Sequence, residues 1–488
     1  MLPGAVVLAL SPARIQDGEV PMRLRPDDVL KFDQVLPMFN WFYPLANQEL
    51  DPVCSAAILS SPPPLRANLR ALYVHIPFCE SICTFCPFTR SAKQSDEAVD
   101  VYVDGLIREI EMKARYPEVA SVPVEAIFFG GGSPSILTGE HFRRIGAALR
   151  ASFDLSALRE FSVEMSLRDL TEDKIQAMRE VGVSHARFGV QTFNEEYRRH
   201  FGLTTPLDLV YENVTILQDL FPFVSFDMLY GMDGQTEGEF VEDLEKAVRV
   251  GTRNIAFYPI NNLVTQPSLH RSLQESGRRP LSGATRFYMN ILLRKFMEAS
   301  GFLPHNGHEY VAVDDSELRA SPVTTRTYTF LYHRNLYGCS DREVLGFGLN
   351  AMSVTNGYVF QNTSSLPIFI KAVQGGRLPI AYIGQHDETT YQSRGVILHL
   401  PYHGYLGREQ VTWEAVHPET LCALDEVVKA GLVQETTGGY ELTREGWYWY
   451  VSLMYYLSPR QEQSQIDRFI MECSLDRSQT VDLGYVAL

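Results

Sequence analysis

The chain has 488 residues, more than one hydrophobic core comfortably holds, so two or three domains are expected. Its 45% hydrophobic and 21% charged residues are those of a globular protein in water. A formal net charge of −16 argues against a nucleic-acid surface, which needs concentrated Lys and Arg, and seven cysteines in so long a chain do not make a disulfide framework.

Residues 1–64 read as an N-terminal extension. Its first residues are mildly apolar but carry no positive leader and soon meet Ser11-Pro12, so no secretory signal is expected. No apolar run is long enough to span a bilayer, and a reducing, cytoplasmic location is the expectation. The stretch Phe39-Asn-Trp-Phe-Tyr43 is expected to bury against the next domain, ahead of a role as an aromatic substrate platform. Ser60-Ser-Pro-Pro-Pro64 reads as a stiff linker.

From residue 65 to about 375, short apolar runs alternate with helix-patterned segments. Strands are predicted at 71–76, 124–129, 160–165, 185–190, 224–229 and 254–259, with helices at 99–115, 139–152, 172–181, 206–220 and 237–250. Strict alternation implies an α/β fold with a parallel sheet and right-handed crossovers, and six such units imply a partial (β/α)6 barrel. Functional groups then gather at the C-terminal ends of the strands.

Residues 376–460 change character. Here 411–432 reads as two helices, 437–442 as the edge of a hairpin and 443–457 as another helix, together resembling a small winged-helix-like C-terminal domain. It lacks a basic recognition helix, so a lid or packing role is expected in place of DNA binding. The aromatic run Trp447-Tyr-Trp-Tyr450, with Tyr455 and Tyr456, is expected in a helix core ahead of a docking face for a flat ligand. Residues 461–488 read as a polar, loosely ordered tail.

The chemistry concentrates after the first strand. Cys79, Cys83 and Cys86 have the spacing C-x3-C-x2-C. Three thiolates on one loop can hold three irons of a cubic [4Fe–4S] cluster and leave the last open to a small chelating molecule. The plainer readings are three small buried residues or a zinc loop, but zinc wants a fourth protein ligand and more regular pairs. The second strand runs into Gly130-Gly-Gly-Ser-Pro134, where missing side chains let backbone approach a ligand. Glu164, Gln191 and Asp227 stand at the ends of the third, fourth and fifth strands, the last just before Tyr230-Gly231. Singly each reads as well as a structural residue; together, at one end of successive strands, they form a candidate constellation. His75 either touches a substrate or braces the cysteine loop, with bracing favoured. Cys54, Cys339, Cys422 and Cys473 read as ordinary buried thiols, Cys339 being the one placed to face a site.

The cysteine spacing resembles the signature of the radical S-adenosylmethionine (SAM) superfamily, in which the open iron binds SAM and passes it an electron. Tyr73-Val-His-Ile-Pro-Phe-Cys79, Phe128-Phe-Gly-Gly-Gly-Ser-Pro-Ser135, Arg187-Phe-Gly-Val-Gln-Thr-Phe193 and Leu345-Gly-Phe-Gly-Leu-Asn-Ala351 more narrowly resemble the oxygen-independent coproporphyrinogen III oxidase-like (HemN-like) family, over roughly residues 69–450. The resemblance implies two SAM molecules beside the cluster, with Tyr73, Phe85, Gly131, Gly132, Ser133, Glu164, Gln191, Asp227 and Ile260 as SAM contacts. It also implies an electron donor such as flavodoxin or ferredoxin.

The departures bear on the substrate. Phe88 stands where the oxidases commonly place a further cysteine, and Glu-x-Asn-Pro is replaced by Glu164-Met-Ser-Leu167. Leu203 stands where an arginine often follows glycine, with Arg198 or Arg199 as candidate substitutes. The family's Tyr-Glu-Ile-Ser-Asn region reads Pro304-His-Asn-Gly-His-Glu-Tyr310, and the His-Asn of related haem chaperones is Arg334-Asn335. Cys83-Thr-Phe-Cys-Pro-Phe88 resembles instead the family's methylating branch, which includes anaerobic haem-opening methyltransferases and enzymes that methylate or cyclopropanate aromatic natural products. That branch implies a 5′-deoxyadenosyl radical from one SAM, hydrogen abstraction from the methyl of the second, and addition of the methylene radical to an sp² carbon. The expected function is alkylation of an unsaturated or aromatic carbon of an aromatic or tetrapyrrole small molecule, with no nucleic-acid or membrane partner. The alternatives are oxidative decarboxylation of coproporphyrinogen III and a haem chaperone without turnover.

Overall fold

A computed structural model describes residues 43, 44, 48, 49, 59, 60, 67–260, 267–314, 316, 323–325, 330–355, 357–385 and 387–475. Of the 39–43 aromatic stretch only Tyr43 is described, and it is buried. Cys54 and the prolines of the linker lie outside the described residues.

Six strands lie side by side in parallel: β1 (Leu69–Ile76), β2 (Val124–Gly131), β3 (Glu160–Met165), β4 (His185–Gln191), β5 (Phe223–Tyr230) and β6 (Asn254–Pro259). Helices α1 (Asp96–Ala114), α2 (Gly139–Ser152), α3 (Glu172–Val181), α4 (Glu195–Phe201), α5 (Leu207–Leu220) and α6 (Glu237–Val250) lie between successive strands. The short α4 is absent from the sequence reading. Local chemistry fixes the helix ends. Thr138, Thr171 and Thr236 cap the starts of α2, α3 and α6, and left-handed Gly182 and Gly251 stop α3 and α6.

The period of the strands divides the sheet into two faces. Leu72, Val74, Ile76, Ile127 and Phe129 share one apolar core with Leu106, Phe142 and Ile145 of the helices. Ala71, Tyr73, Ala126 and Phe128 belong to a second core on the inner face.

After β6, the helices α7 (Pro267–Glu275) and α8 (Gly283–Ala299) lead to β7 (Phe302–Pro304) and β8 (Glu309–Ala312), which add antiparallel to the β6 edge. Helix α9 (Leu331–Leu336) then crosses the inner face. There the Leu331 N–H donates to Glu160 Oε2 at 2.6 Å, Asn335 Nδ2 donates to Glu125 Oε1 at 2.8 Å, and the Tyr332 ring stacks on Phe128 at 4.5 Å. β9 (Arg342–Phe347) pairs in parallel with β1, and antiparallel β10 (Met352–Thr355), β11 (Tyr358–Asn362) and β12 (Ile380–Gln385) continue that edge. The sheet therefore runs past residue 375, where composition alone suggested a boundary.

The C-terminal part holds a second antiparallel sheet of β13 (Tyr405–Gly407), β14 (Val433–Thr436) and β15 (Gly439–Leu442). Two helices were expected over 411–432. One forms, α10 (Pro418–Lys429), because Pro418 at its first turn sets the start, and Trp413–Ala415 is only a 3₁₀ turn. Trp447, Trp449 and Tyr450 are buried, as expected, at the entry to α11 (Tyr450–Leu457). The segment read as a loose tail begins with α12 (Arg460–Leu475), which buries Ile466 and accepts the Tyr455 hydroxyl at Asp467. No described helix is long and apolar enough to cross a membrane.

Candidate active site

β1 delivers the chain into a loop that closes on itself. Phe78–Cys79 pairs in parallel with Ser91–Ala92, the Ser91 N–H donates to Pro77 O at 2.7 Å and the Lys93 N–H to Cys79 O at 2.9 Å. All three cysteines stand inside this clasp. Burial pushes the Cys79 thiol up to about 12, helped by the other two sulfurs, and the Cys83 thiol up to about 11; Cys86 is raised as well, and Arg90 opposes the rise at each. The sulfurs are thus within electrostatic reach of one another, and iron supplies the positive charge that buried thiolates require. Among the described residues no three His, Cys, Asp or Glu side chains converge on one metal ion. A cluster asks for a different arrangement, one thiolate at each of three iron corners, and the loop's donor set fits it.

Several elements brace the clasp. His75 accepts the Tyr73 hydroxyl at Nδ1 (2.9 Å) and donates from Nε2 to Thr89 O (2.8 Å), the carbonyl fixing that tautomer. This is the bracing role. A Cβ on Gly131, whose φ is +108°, would lie 2.7 Å from the His75 ring. Gly132 donates to Ile76 O (2.7 Å) and Ser133 to Phe78 O (2.8 Å), and a Cβ on Gly132 would come 2.6 Å from Phe78 O. The glycine run therefore grips the strand that carries Cys79. From the other side, Tyr102 donates its hydroxyl to His75 O (2.7 Å) and accepts Leu349 N–H (2.9 Å), while Asn350 Nδ2 donates to Thr89 Oγ1 (2.7 Å).

On the inner face, strand register assembles a charged group. Glu164 pairs with Arg187 across β3 and β4, and Asp227 lies between Gly189 and Ala256 in its neighbours, with Glu309 next along the row. Arg187 donates to Glu309 Oε1 at 2.6 Å and to Asp227 Oδ1 at 3.4 Å, and its guanidinium covers the Phe330 ring at 4.3 Å. Burial raises the carboxyls of Glu164, Asp227 and Glu309, and repulsion from Asp227 adds to the rise at Glu164 and Glu309. Arg187 offsets part of this at all three. Such a group is short of positive charge. A Cβ on Gly130 would sit 3.1 Å from Glu164 Oε2, so the glycine leaves this carboxyl its room.

The remaining sequence candidates sit around these two centres. Gln191 has φ +70° beside a bulge in β4, and Gly189 accommodates its amide. Phe85 packs on Phe201 (ring centroids 4.9 Å) in a small cluster that includes Ile260, whose carbonyl accepts Arg286 Nη2 at 2.7 Å. Arg198 does not take the place of the missing arginine: burial commits its guanidinium to the carbonyls of Val190, Thr192 and Thr205. Arg199 is exposed. Cys339 is buried against Gly395, its thiol raised by burial, as an inert thiol would be.

Sequence reading missed Arg187, Glu309 and Tyr332. Arg187 was visible in principle, since the period-2 pattern puts it on the face of Gly189 and Gln191. Tyr332 stacks on Tyr73 (5.6 Å) and Phe128, and its buried hydroxyl has no hydrogen-bond partner among the described residues. From it a wall of rings continues through His333, Tyr402, His308 and Tyr450, linked by Tyr402 to His333 Nδ1 (2.9 Å) and Tyr450 to His308 Nδ1 (3.1 Å). Burial pushes the His308 imidazole down to about 3, and His333 and His403 likewise fall, so these rings are neutral. The unusual segments 304–310 and 332–335 meet here.

A model described as the radical SAM superfamily matches residues 73–247, from Tyr73 in β1 into α6. The chain thus carries a radical SAM domain, and a [4Fe–4S] cluster and SAM are the cofactors of that class. Anaerobilin synthase of Escherichia coli O157:H7 is 27% identical over 448 residues, 91% of this chain and 93% of the relative. Heme chaperone HemW of Bacillus subtilis (strain 168) is 26% identical over 392 residues, 78% of this chain and 96% of the relative. Coproporphyrinogen III oxidase (HemN) from Escherichia coli, a radical SAM enzyme, shares the fold with a TM-score of 0.70 at 21% identity, over 85% of this chain and 96% of that one. The radical SAM domain therefore comes with HemN-like proteins as homologues of the chain.

Proposed function

We propose that this enzyme uses two SAM molecules to alkylate an unsaturated carbon of a tetrapyrrole-type acceptor. The observation that carries the reading is the wall of rings from Tyr73 and Tyr332 to Tyr402, His308 and Tyr450. A broad conjugated ligand matches such a surface by face and edge contact. The similarity to anaerobilin synthase, which runs through the C-terminal domain as well as the barrel, supports a tetrapyrrole as acceptor. The Cys83-Thr-Phe-Cys-Pro-Phe88 loop supports alkylation.

When bound, the cluster and SAM supply one-electron chemistry that no side chain offers. The chain's share is to hold and orient. Cys79, Cys83 and Cys86 take the cluster. Tyr73, Phe85, Gly131, Gly132, Ser133, Gln191 and Ile260 line the SAM sites in this reading, with Glu164 and Asp227 facing the cationic ammonium or sulfonium. Those two carboxyls hold protons too tightly for want of positive charge, so an arriving cation releases protons as it docks. Tyr73, Phe128 and Phe330 keep water from the reacting groups. The Tyr332 hydroxyl is a ready donor to a polar edge of the acceptor.

The test is anaerobic turnover of the reconstituted enzyme with SAM, dithionite and either an iron porphyrin or coproporphyrinogen III. Alkylation predicts 5′-deoxyadenosine, S-adenosylhomocysteine and an acceptor heavier by the added carbon. Protoporphyrinogen formed without S-adenosylhomocysteine would replace this reading with oxidative decarboxylation. Stoichiometric haem uptake without 5′-deoxyadenosine would replace it with a chaperone.

A further inference from the structure

We propose that Arg90 is the charge partner of the iron–sulfur cluster, a positioning residue that stabilises the reduced state and raises its potential. It rests on the cluster assignment and is independent of the acceptor. Arg90 is the last loop residue before the clasp closes, since Ser91 pairs with Phe78 and Ala92 with Cys79. Its neighbour Thr89 is fixed twice, through its carbonyl by His75 (2.8 Å) and through its hydroxyl by Asn350 (2.7 Å). The Arg90 side chain then folds back over the loop, Nη1 donating to Phe88 O at 3.0 Å. Its Nε is buried and has no hydrogen-bond partner among the described residues.

The other nearby cations are committed. Lys93 pairs with Glu80 and Asp96, and Arg198 is spent on backbone carbonyls. Arg90 has no carboxylate partner among the described residues, and its guanidinium lies back over the loop at Phe88, two residues from Cys86. A cluster with three thiolates is anionic and becomes more so when an external donor adds an electron. A half-buried guanidinium beside it favours the more negative state, because partial burial weakens screening. Net charge and hydrogen bonds to the sulfurs are what set such potentials.

The experiment is a potentiometric titration of the reconstituted, cluster-loaded protein, followed by electron paramagnetic resonance, with iron content measured beside it. R90Q is expected to hold iron and to lower the reduction equilibrium constant about tenfold, which is about 59 mV for a one-electron couple. R90K, which keeps the charge, is expected to lose less than half of that. An unchanged potential in iron-replete R90Q overturns the proposal, as does R90K shifting as far as R90Q. Iron loss in R90Q alone supports it, since charge is then needed to keep the cluster; iron loss in both variants overturns it.

Discussion

Two regions of the molecule bury polar groups to the same depth and treat them differently. Behind the cysteine loop, Lys113 pairs with Glu109 (2.6 Å) and donates to Gly346 O (2.6 Å). Glu109 in turn accepts from Gly348 N–H and Asn362 Nδ2, each at 2.7 Å. Both charged groups there are answered from within the chain. Along the ring wall, the Tyr332 hydroxyl, Arg334 Nε and His403 Nε2 find no partner among the described residues. Buried polar groups that satisfy one another make a scaffold, whereas those left over mark where another molecule is to supply the answer.

The first way to break this contrast is Cys83→Ala. It is expected to abolish iron retention at the open-iron geometry and reductive cleavage of SAM, while the melting temperature of the metal-free protein stays put, because the clasp is backbone. A large fall in that temperature would show that the scaffold depends on the thiols. Next, Lys113→Met strands Glu109 in a buried site and should cost about 3–5 kcal/mol in urea unfolding, the penalty of an uncompensated buried charge. A cost under about 1 kcal/mol, the worth of an exposed ion pair, would reduce the network to a surface-like one.

Glu160 sharpens the comparison through pH, since it ties α9 to the sheet. Burial lifts its carboxyl from 4.5 to about 7. The unfolded chain therefore gives up this proton first as pH rises, and the native state loses stability between those two values. Glu160→Gln has no such proton, so the stability difference should move in favour of the variant from pH 4.5 to about 7 and then level off, by at most about 3 kcal/mol. Denaturant titrations at stepped pH read it directly; parallel curves would refute the assignment. The smallest effect on stability belongs to Tyr332→Phe. Deleting an unanswered hydroxyl should change unfolding by less than about 1 kcal/mol, yet lower acceptor turnover about tenfold, the worth of one hydrogen bond. A strongly destabilised variant would place Tyr332 with the scaffold.

The alternating half of the chain was readable because its signals are local. Apolar periodicity and caps such as Thr138, Thr171 and Thr236 set β1–β6 and most of their helices within a residue or two. The cysteine spacing and glycine run were equally local. What escaped notice is what the fold brings from afar. Arg187 meets Glu309, 122 residues away, and the Leu331 N–H meets Glu160, 171 residues away. No pattern within a window of sequence announces either pair. β13 joins β15 over a shorter gap, Tyr405 opposite Glu441 and Gly407 opposite Gly439, but one still too long for a turn signal, and so the C-terminal sheet was read as the edge of a hairpin. Arg198 misled for the complementary reason: its charge is visible in sequence, but its commitment to three carbonyls is not.

The closure of residues 78–92 is made of main-chain bonds and propped by His75, Tyr102 and Asn350. Air destroys clusters of this kind. With its closure carried by the main chain, a stripped molecule is expected to keep the mould in which the next cluster is cast, so that recovery is limited by delivery of iron and sulfide.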